Sequence, residues 1–133
     1  MKYLLDTNIC IYIINKKPTK VIQKLISLNI DDAAISSITL SELEYGIQKS
    51  LRPIQNKLAL AEFLVPIEVL DYNDLAAEKY GEIRAELEQK GNIIGAMDLL
   101  IVAHAVSERL ILVTNNEREF KRIKNLKVEN WAK

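Results

Sequence analysis

The sequence predicts an α/β fold, a three-layer α/β/α arrangement with helices on both faces of a central, mostly parallel sheet. Three observations predict it. Short apolar runs of strand length alternate with helical patterns along the chain, the order that βαβ units produce. One pattern, over residues 96–106, is apolar all round, as a helix buried in the middle of a domain would be. The length of 133 residues suits one domain over 1–133, large enough to bury about two-thirds of its unfolded surface without disulfide or metal support.

The elements follow in order. Residues 2–5 form an apolar run that stops at Asp6, and a second apolar stretch starts at once after Thr7 and Asn8. A helix is expected from near Pro18 to before Asn29, because proline suits a first helical turn. Further strands are expected at 33–36, 67–70, 111–113 and 127–129, and further helices at 39–50 and 53–64, the latter again opening on a proline, Pro53. Ala76, Tyr80, Ile83 and Leu87 recur at spacings of four, three and four, which marks an amphipathic helix over 73–90 ended by Gly91. Its acids Glu78, Glu82 and Glu86 read as a solvated face.

Composition excludes several classes. Cys10 is the single cysteine, so neither a disulfide framework nor a thiolate zinc site is available, and a reducing cytoplasm fits. No basic leader with an apolar signal stretch and no run of 18 apolar residues occurs, so no secretion and no membrane span are expected. Lys plus Arg equals Asp plus Glu at 18 each, which leaves no overall excess to hold nucleic acid indiscriminately. The charge is nonetheless uneven. Eight acids crowd residues 62–88, and six lysines and arginines occupy 116–133. That second region reads either as a basic wall for a phosphate backbone or as an ordinary solvated tail.

Three acids stand where burial would be costly without compensation. Asp6 ends the first strand, where side chains of a parallel sheet face the ligand crevice; it is equally a good helix N-cap. Glu42 borders the apolar stripe Leu40, Leu43 and Ile47, and Asp98 lies in the first turn of the apolar helix. Glu119 is a fourth candidate, following the strand at 111–113. Each has a structural alternative as cap, dipole partner or surface pair. If the first and fourth strands are neighbours, all four converge. Two carboxylates about 4 Å apart repel by roughly 4 kcal/mol at an effective dielectric near 20, and no Lys or Arg lies within two residues of Asp6, Glu42 or Asp98. A distant lysine or a divalent cation must then supply the counter-charge. Oxygen ligands favour Mg2+ or Mn2+ over zinc, and such a site serves in-line displacement at a phosphodiester. Thr7, Asn8, Thr114 and Asn116 are placed to orient carboxylates, water or phosphate, or simply to cap helices.

Other chemistry is poorly supported. His104, alone in an apolar helix, reads as a hydrogen-bonded core residue. The serines have no histidine base, and the loop 91–95 lacks the ending of a phosphate-binding motif.

Leu5-Asp6-Thr7-Asn8, Ser41-Glu42-Leu43-Glu44-Tyr45-Gly46, the stretch from Ile94 to Ala105 with Asp98 inside it, and Leu112-Val113-Thr114-Asn115-Asn116-Glu117-Arg118-Glu119-Phe120 together resemble the PIN domain. More narrowly they resemble the VapC ribonuclease toxins of type II toxin-antitoxin modules. The resemblance spans essentially the whole chain to Val128-Glu129-Asn130-Trp131. It implies a PIN-like α/β/α fold and a Mg2+- or Mn2+-dependent endoribonuclease that inhibits translation, with tRNA or another stem-loop RNA as substrate. It also implies a homodimer neutralised by a cognate VapB-type antitoxin, whose tail fills a groove beside the site and through which operator DNA is bound indirectly. Asp6, Glu42 and Asp98 match the family's metal-binding acids and Glu119 its fourth acidic position. Asn116 stands where many PIN domains carry aspartate.

Two other readings compete. A covalent phosphatase or phosphoacceptor would use Asp6 as nucleophile, but the position two residues on is Asn8, and Thr114-Asn115-Asn116 after the fourth strand supplies no lysine. A catalytically silent PIN-fold module acting in a regulatory protein–DNA complex would leave its acids without a purpose.

Overall fold

The computed structural model describes residues 1–29 and 31–133. Five strands, β1 (Tyr3–Leu5), β2 (Ala33–Ser36), β3 (Glu68–Leu70), β4 (Ile111–Val113) and β5 (Val128–Glu129), form one sheet in the order β3-β2-β1-β4-β5. Every pairing is parallel. Helices α1 (Thr7–Asn15) and α2 (Thr19–Ile26) connect β1 to β2, and α3 (Ser37–Gln48) and α4 (Pro53–Leu64) connect β2 to β3. The chain then crosses to the far side of β1 through α5 (Asp74–Gln89) and α6 (Ala96–Glu108), and the short α7 (Glu117–Phe120) lies between β4 and β5.

The period-two alternation of strand side chains divides the core in two. Tyr3, Leu5, Ala33, Ile35 and Val113 face Ile9, Val21, Leu43 and Leu60 from the first four helices. Leu4, Ala34 and Leu112 face Ile83, Leu87, Leu99, Val102 and Phe120 from the last three. The central strands are thus apolar on both sides, as a parallel sheet covered twice requires. The C-terminal segment closes the first layer, Trp131 meeting Tyr3 edge to face at 5.2 Å.

Helix starts are set by side chains that accept the orphan amides of a first turn. Asp6 accepts from Ile9 N at 2.9 Å, Ser36 from Ile38 N at 3.1 Å and Asn73 from Ala76 N at 3.1 Å. At the other end of α5, Gly91 adopts φ 71°, and Asn92 N reaches back to Leu87 O at 2.8 Å, the left-handed closure that glycine permits.

The sequence expectations shift in places. α3 starts at Ser37, two residues before the expected Thr39, because Ser36 takes the cap and Thr39 turns inward, fully buried. Pro18 is the N-cap of α2, outside its first turn. β1, β3 and β5 each start one residue late. The four-residue α7 carried no periodicity to read. The α5 acids are exposed as expected, Glu82 and Glu86 pairing with Lys79 and Lys90. Among the described residues no helix is long and apolar enough to cross a membrane.

Leu4 is fully buried in the middle strand of the sheet, and truncating such a leucine costs about 2 to 5 kcal/mol. Leu4→Ala lowers the thermal midpoint by roughly 10 °C, as followed by circular dichroism, without altering the far-UV spectrum of the folded state.

Candidate active site

The crossover from β3 to β4 makes the carboxyl ends of β1 and β4 the point where the chain departs in opposite directions, the usual ligand crevice of an open parallel sheet. Leu5 is in register with Val113, and Asp6 N donates to Val113 O at 3.0 Å. Asp6 and Thr114 therefore leave adjacent strands side by side. Glu42 comes from the second turn of α3 and Asp98 from the first turn of α6, and Glu119 lies in α7 just past β4.

Each of three acids is held by a neutral donor. Asp6, 8 % exposed, is fixed by the Ile9 amide; the Thr7 hydroxyl donates to Glu42 Oε1; and Asn116 Nδ2 donates to Glu119 Oε2 at 2.7 Å. Thr114, fully buried, hydrogen-bonds Asp6 and accepts from Asn116 N at 3.0 Å. Asn8 is exposed on α1 and, among the described residues, bonds to none of these groups.

The electrostatics join the four carboxylates. Burial pushes Asp6 up to about 6; the Thr114 hydroxyl and Ile9 amide oppose the rise, and the charges of Asp98 and Glu42 add to it. Asp98 is raised above the ordinary carboxylate value first by burial and then by Glu119 and Glu42. Among the described residues no lysine or arginine forms an ion pair with any of the four. Convergence nevertheless stops short of contact: among these residues no three acidic, imidazole or thiol groups stand close enough to close around an ion. The spread follows from repulsion and from the donors that draw Asp6, Glu42 and Glu119 to separate positions. The donor set is all oxygen, negative and uncompensated, which is the chemistry that accepts a hard divalent cation.

Sequence reasoning missed Ser36 and the inward role of Thr39. Thr7 Oγ1 lies 3.5 Å from Thr39 Oγ1, so both threonines flank Glu42. A threonine three residues before an acid on one helix face was the available signal. His104 is the expected buried core residue. Its Nδ1 lies 2.8 Å from Ser36 Oγ, its Nε2 has no partner among the described residues, and burial lowers its pKa. Cys10 is buried and its thiol is pushed up by that burial, which leaves it inert.

Beside Glu42 opens a cavity of about 280 Å3 walled by Ile11, Ile14, Leu43 and Leu60. Ile47 on its wall also borders a neighbouring hollow that carries exposed Ile54 (80 %) and Leu58 (62 %).

Sheet order, crossover and acid-lined crevice define a PIN domain, and the chain belongs to the PIN domain family, whose model matches residues 3–126. It is 52% identical over 134 residues to Ribonuclease VapC2 of Rickettsia felis, covering all of both chains. It is 47% identical over 132 residues to the tRNA(fMet)-specific endonuclease VapC of Salmonella typhimurium, covering 99% of each. The solved VapBC2 of Rickettsia felis bound to a DNA fragment from its promoter superposes with a TM-score of 0.93 at 51% identity, over 98% of this chain and 99% of that one.

Asp6 yields a prediction with a definite sign. Its folded pKa, about 6, lies above the ordinary aspartate value of 3.8, so its contribution to stability is complete below about pH 4 and is lost as pH rises through 6. In metal-free protein the loss amounts to about 3 kcal/mol. Asp6→Asn keeps the helix cap and removes this component, so urea unfolding at pH 4 and pH 7 shows a smaller fall in stability for the variant than for the parent.

Proposed function

We propose that this chain is the ribonuclease toxin of a type II toxin-antitoxin pair, an endonuclease that hydrolyses a phosphodiester bond of RNA and so stops translation. The observation that carries the reading is the set of four carboxylates about the joined ends of β1 and β4, where burial and then the neighbouring acids raise Asp6 and Asp98 and, among the described residues, no lysine or arginine pairs with any of the four. The relatives' names, ribonuclease and tRNA(fMet)-specific endonuclease, support an active enzyme over a silent module and make initiator tRNA the substrate to test.

Asp6, Glu42, Asp98 and Glu119 would hold a divalent cation, Mg2+ or Mn2+. Bound there, the ion supplies charge neutralisation at the scissile phosphate and lowers the pKa of water. The chain's own residues do the rest. Thr7, with Thr39 beside it, holds Glu42, Thr114 holds Asp6 with the Ile9 amide, and Asn116 orients Glu119. Asn116 is a neutral donor where an acid would add a ligand, so the fourth carboxylate is steered and the second ion, if one is taken up, is held by fewer charges. The apolar cavity beside Glu42 and the neighbouring hollow over α3 and α4 suit the tail of an antitoxin, through which operator DNA is contacted; solved relatives include VapB–VapC assemblies bound to DNA. The working unit is the full 1–133 chain as one cytoplasmic catalytic domain in a homodimer.

Asp98→Asn removes a proposed ligand at a half-buried position. It lowers cleavage of initiator tRNA by more than the roughly 10- to 100-fold typical of outer-shell losses, with the thermal midpoint retained. Full activity in this variant, or in the parent under excess chelator, contradicts the mechanism. Separately, Ile54→Asp places a charge on the exposed α4 face; it weakens capture of the cognate antitoxin by at least about tenfold while tRNA cleavage by the free chain stays unchanged.

A further inference from the structure

A cavity of about 700 Å3 lies at the other end of the sheet. Lys2, Arg109 and Lys127 stand just before β1, β4 and β5, and Lys79 reaches in from α5; Ser107 and Asn125 complete its polar wall. Among the described residues no carboxylate lines it, in a chain whose charges balance at 18 to 18. Lys79 pairs with Glu82, whereas Lys2, Arg109 and Lys127 enter no ion pair among the described residues. Four converging cations of this kind repel one another unless an anion lies between them.

Topology joins this cleft to the acid-lined crevice. Because β4 and β5 are parallel, residues 114–127 must run from the carboxyl end of the sheet back to its amino end. That return carries Arg118 and Arg122, both exposed and outside the ion pairs, before it delivers Lys127. Lys121 is neutralised by Glu117 at 3.5 Å, and Lys124 lies near Glu86, so the track is a sparse line of single charges. A strand residue rises about 3.3 Å, which puts Lys2 and Asp6, the residues flanking β1, on the order of 13 Å apart, a span that several phosphates of one helical RNA strand cover.

We propose that the cleft at the amino ends of β1, β4 and β5 is a phosphate-binding subsite for the stem of an RNA whose loop lies in the acid-lined crevice. The proposal rests on the ribonuclease reading. RNA suits the cleft better than an acidic peptide. Three of its four cations are lysines on separate segments, point charges that meet phosphate without the bidentate geometry that carboxylate recognition exploits. Double-helical RNA is read through its backbone in this way, while the unpaired loop offers the splayed bases.

The test compares two hairpins that share one loop and carry a long or a minimal stem, using the parent chain and Arg109→Gln/Lys127→Gln. Fluorescence anisotropy across a salt series gives affinity, and single-site cleavage gives KM and kcat. For the long stem the double variant binds on the order of tenfold more weakly at physiological salt, with the slope of log K against log[salt] reduced by about 2. KM rises in step, kcat is unchanged, and the minimal stem shows no difference. Equal affinity and slope for parent and variant on the long stem overturn the proposal. So does equal loss on both hairpins, or a loss of antitoxin binding with RNA binding intact. Failure of the parent to cleave either hairpin counts against the ribonuclease reading alone, because the binding series still judges the cleft.

Discussion

The pairing of β1 with β4 is the constraint on which the rest of the molecule depends. These strands are far apart in sequence, and their union requires the long passage through α5 and α6 over the sheet. Once Leu5 lies opposite Val113, Asp6 and Thr114 must emerge together, α6 must cover the face that Leu4 and Leu112 present, and the crevice exists. Three-residue strands hold few hydrogen bonds of their own. The side chains that fill both faces therefore maintain the register, chiefly by burial of fully apolar positions such as Leu4, Leu5, Leu112 and Val113.

Asp6 shows how scaffold and chemistry share a residue. As an N-cap it starts α1; as a buried carboxylate among three others it raises the energy of the ion-free fold. A helix cap that served stability alone would do better as asparagine. The aspartate is retained at a cost of the kind that functional sites bear and that packing elsewhere offsets.

Much of this was legible in the residues. The alternation of short apolar runs with helical patterns gave the layers, since a chain that buries both faces of a sheet has little other way to distribute its apolar side chains. The three acids next to apolar runs were conspicuous because unpaired charge there is expensive. Strand order was a condition the sequence left open, as it depends on which crossover buries more surface. The spread of the acids was also beyond reach: it follows from Thr7 and Asn116 drawing Glu42 and Glu119 to themselves, and side-chain competition of that sort has no periodicity. Ser36 went unread because Thr39 offered an equally good cap three residues later, and only the burial of Thr39 decides between them.

The contact between His104 and Ser36 has a mechanical consequence. Ser36 Oγ accepts from the Ile38 amide in the first turn of α3 and lies in hydrogen-bond contact with Nδ1 of a histidine on α6. The two helices that carry Glu42 and Asp98 are thereby clasped behind the crevice by a neutral ring. Charging that ring would place a cation in the core with Nε2 lacking a partner among the described residues, and burial already holds its pKa down. The clasp therefore stays shut across the range in which a surface histidine would switch, and the spacing of the two acids is insulated from swings in acidity around it.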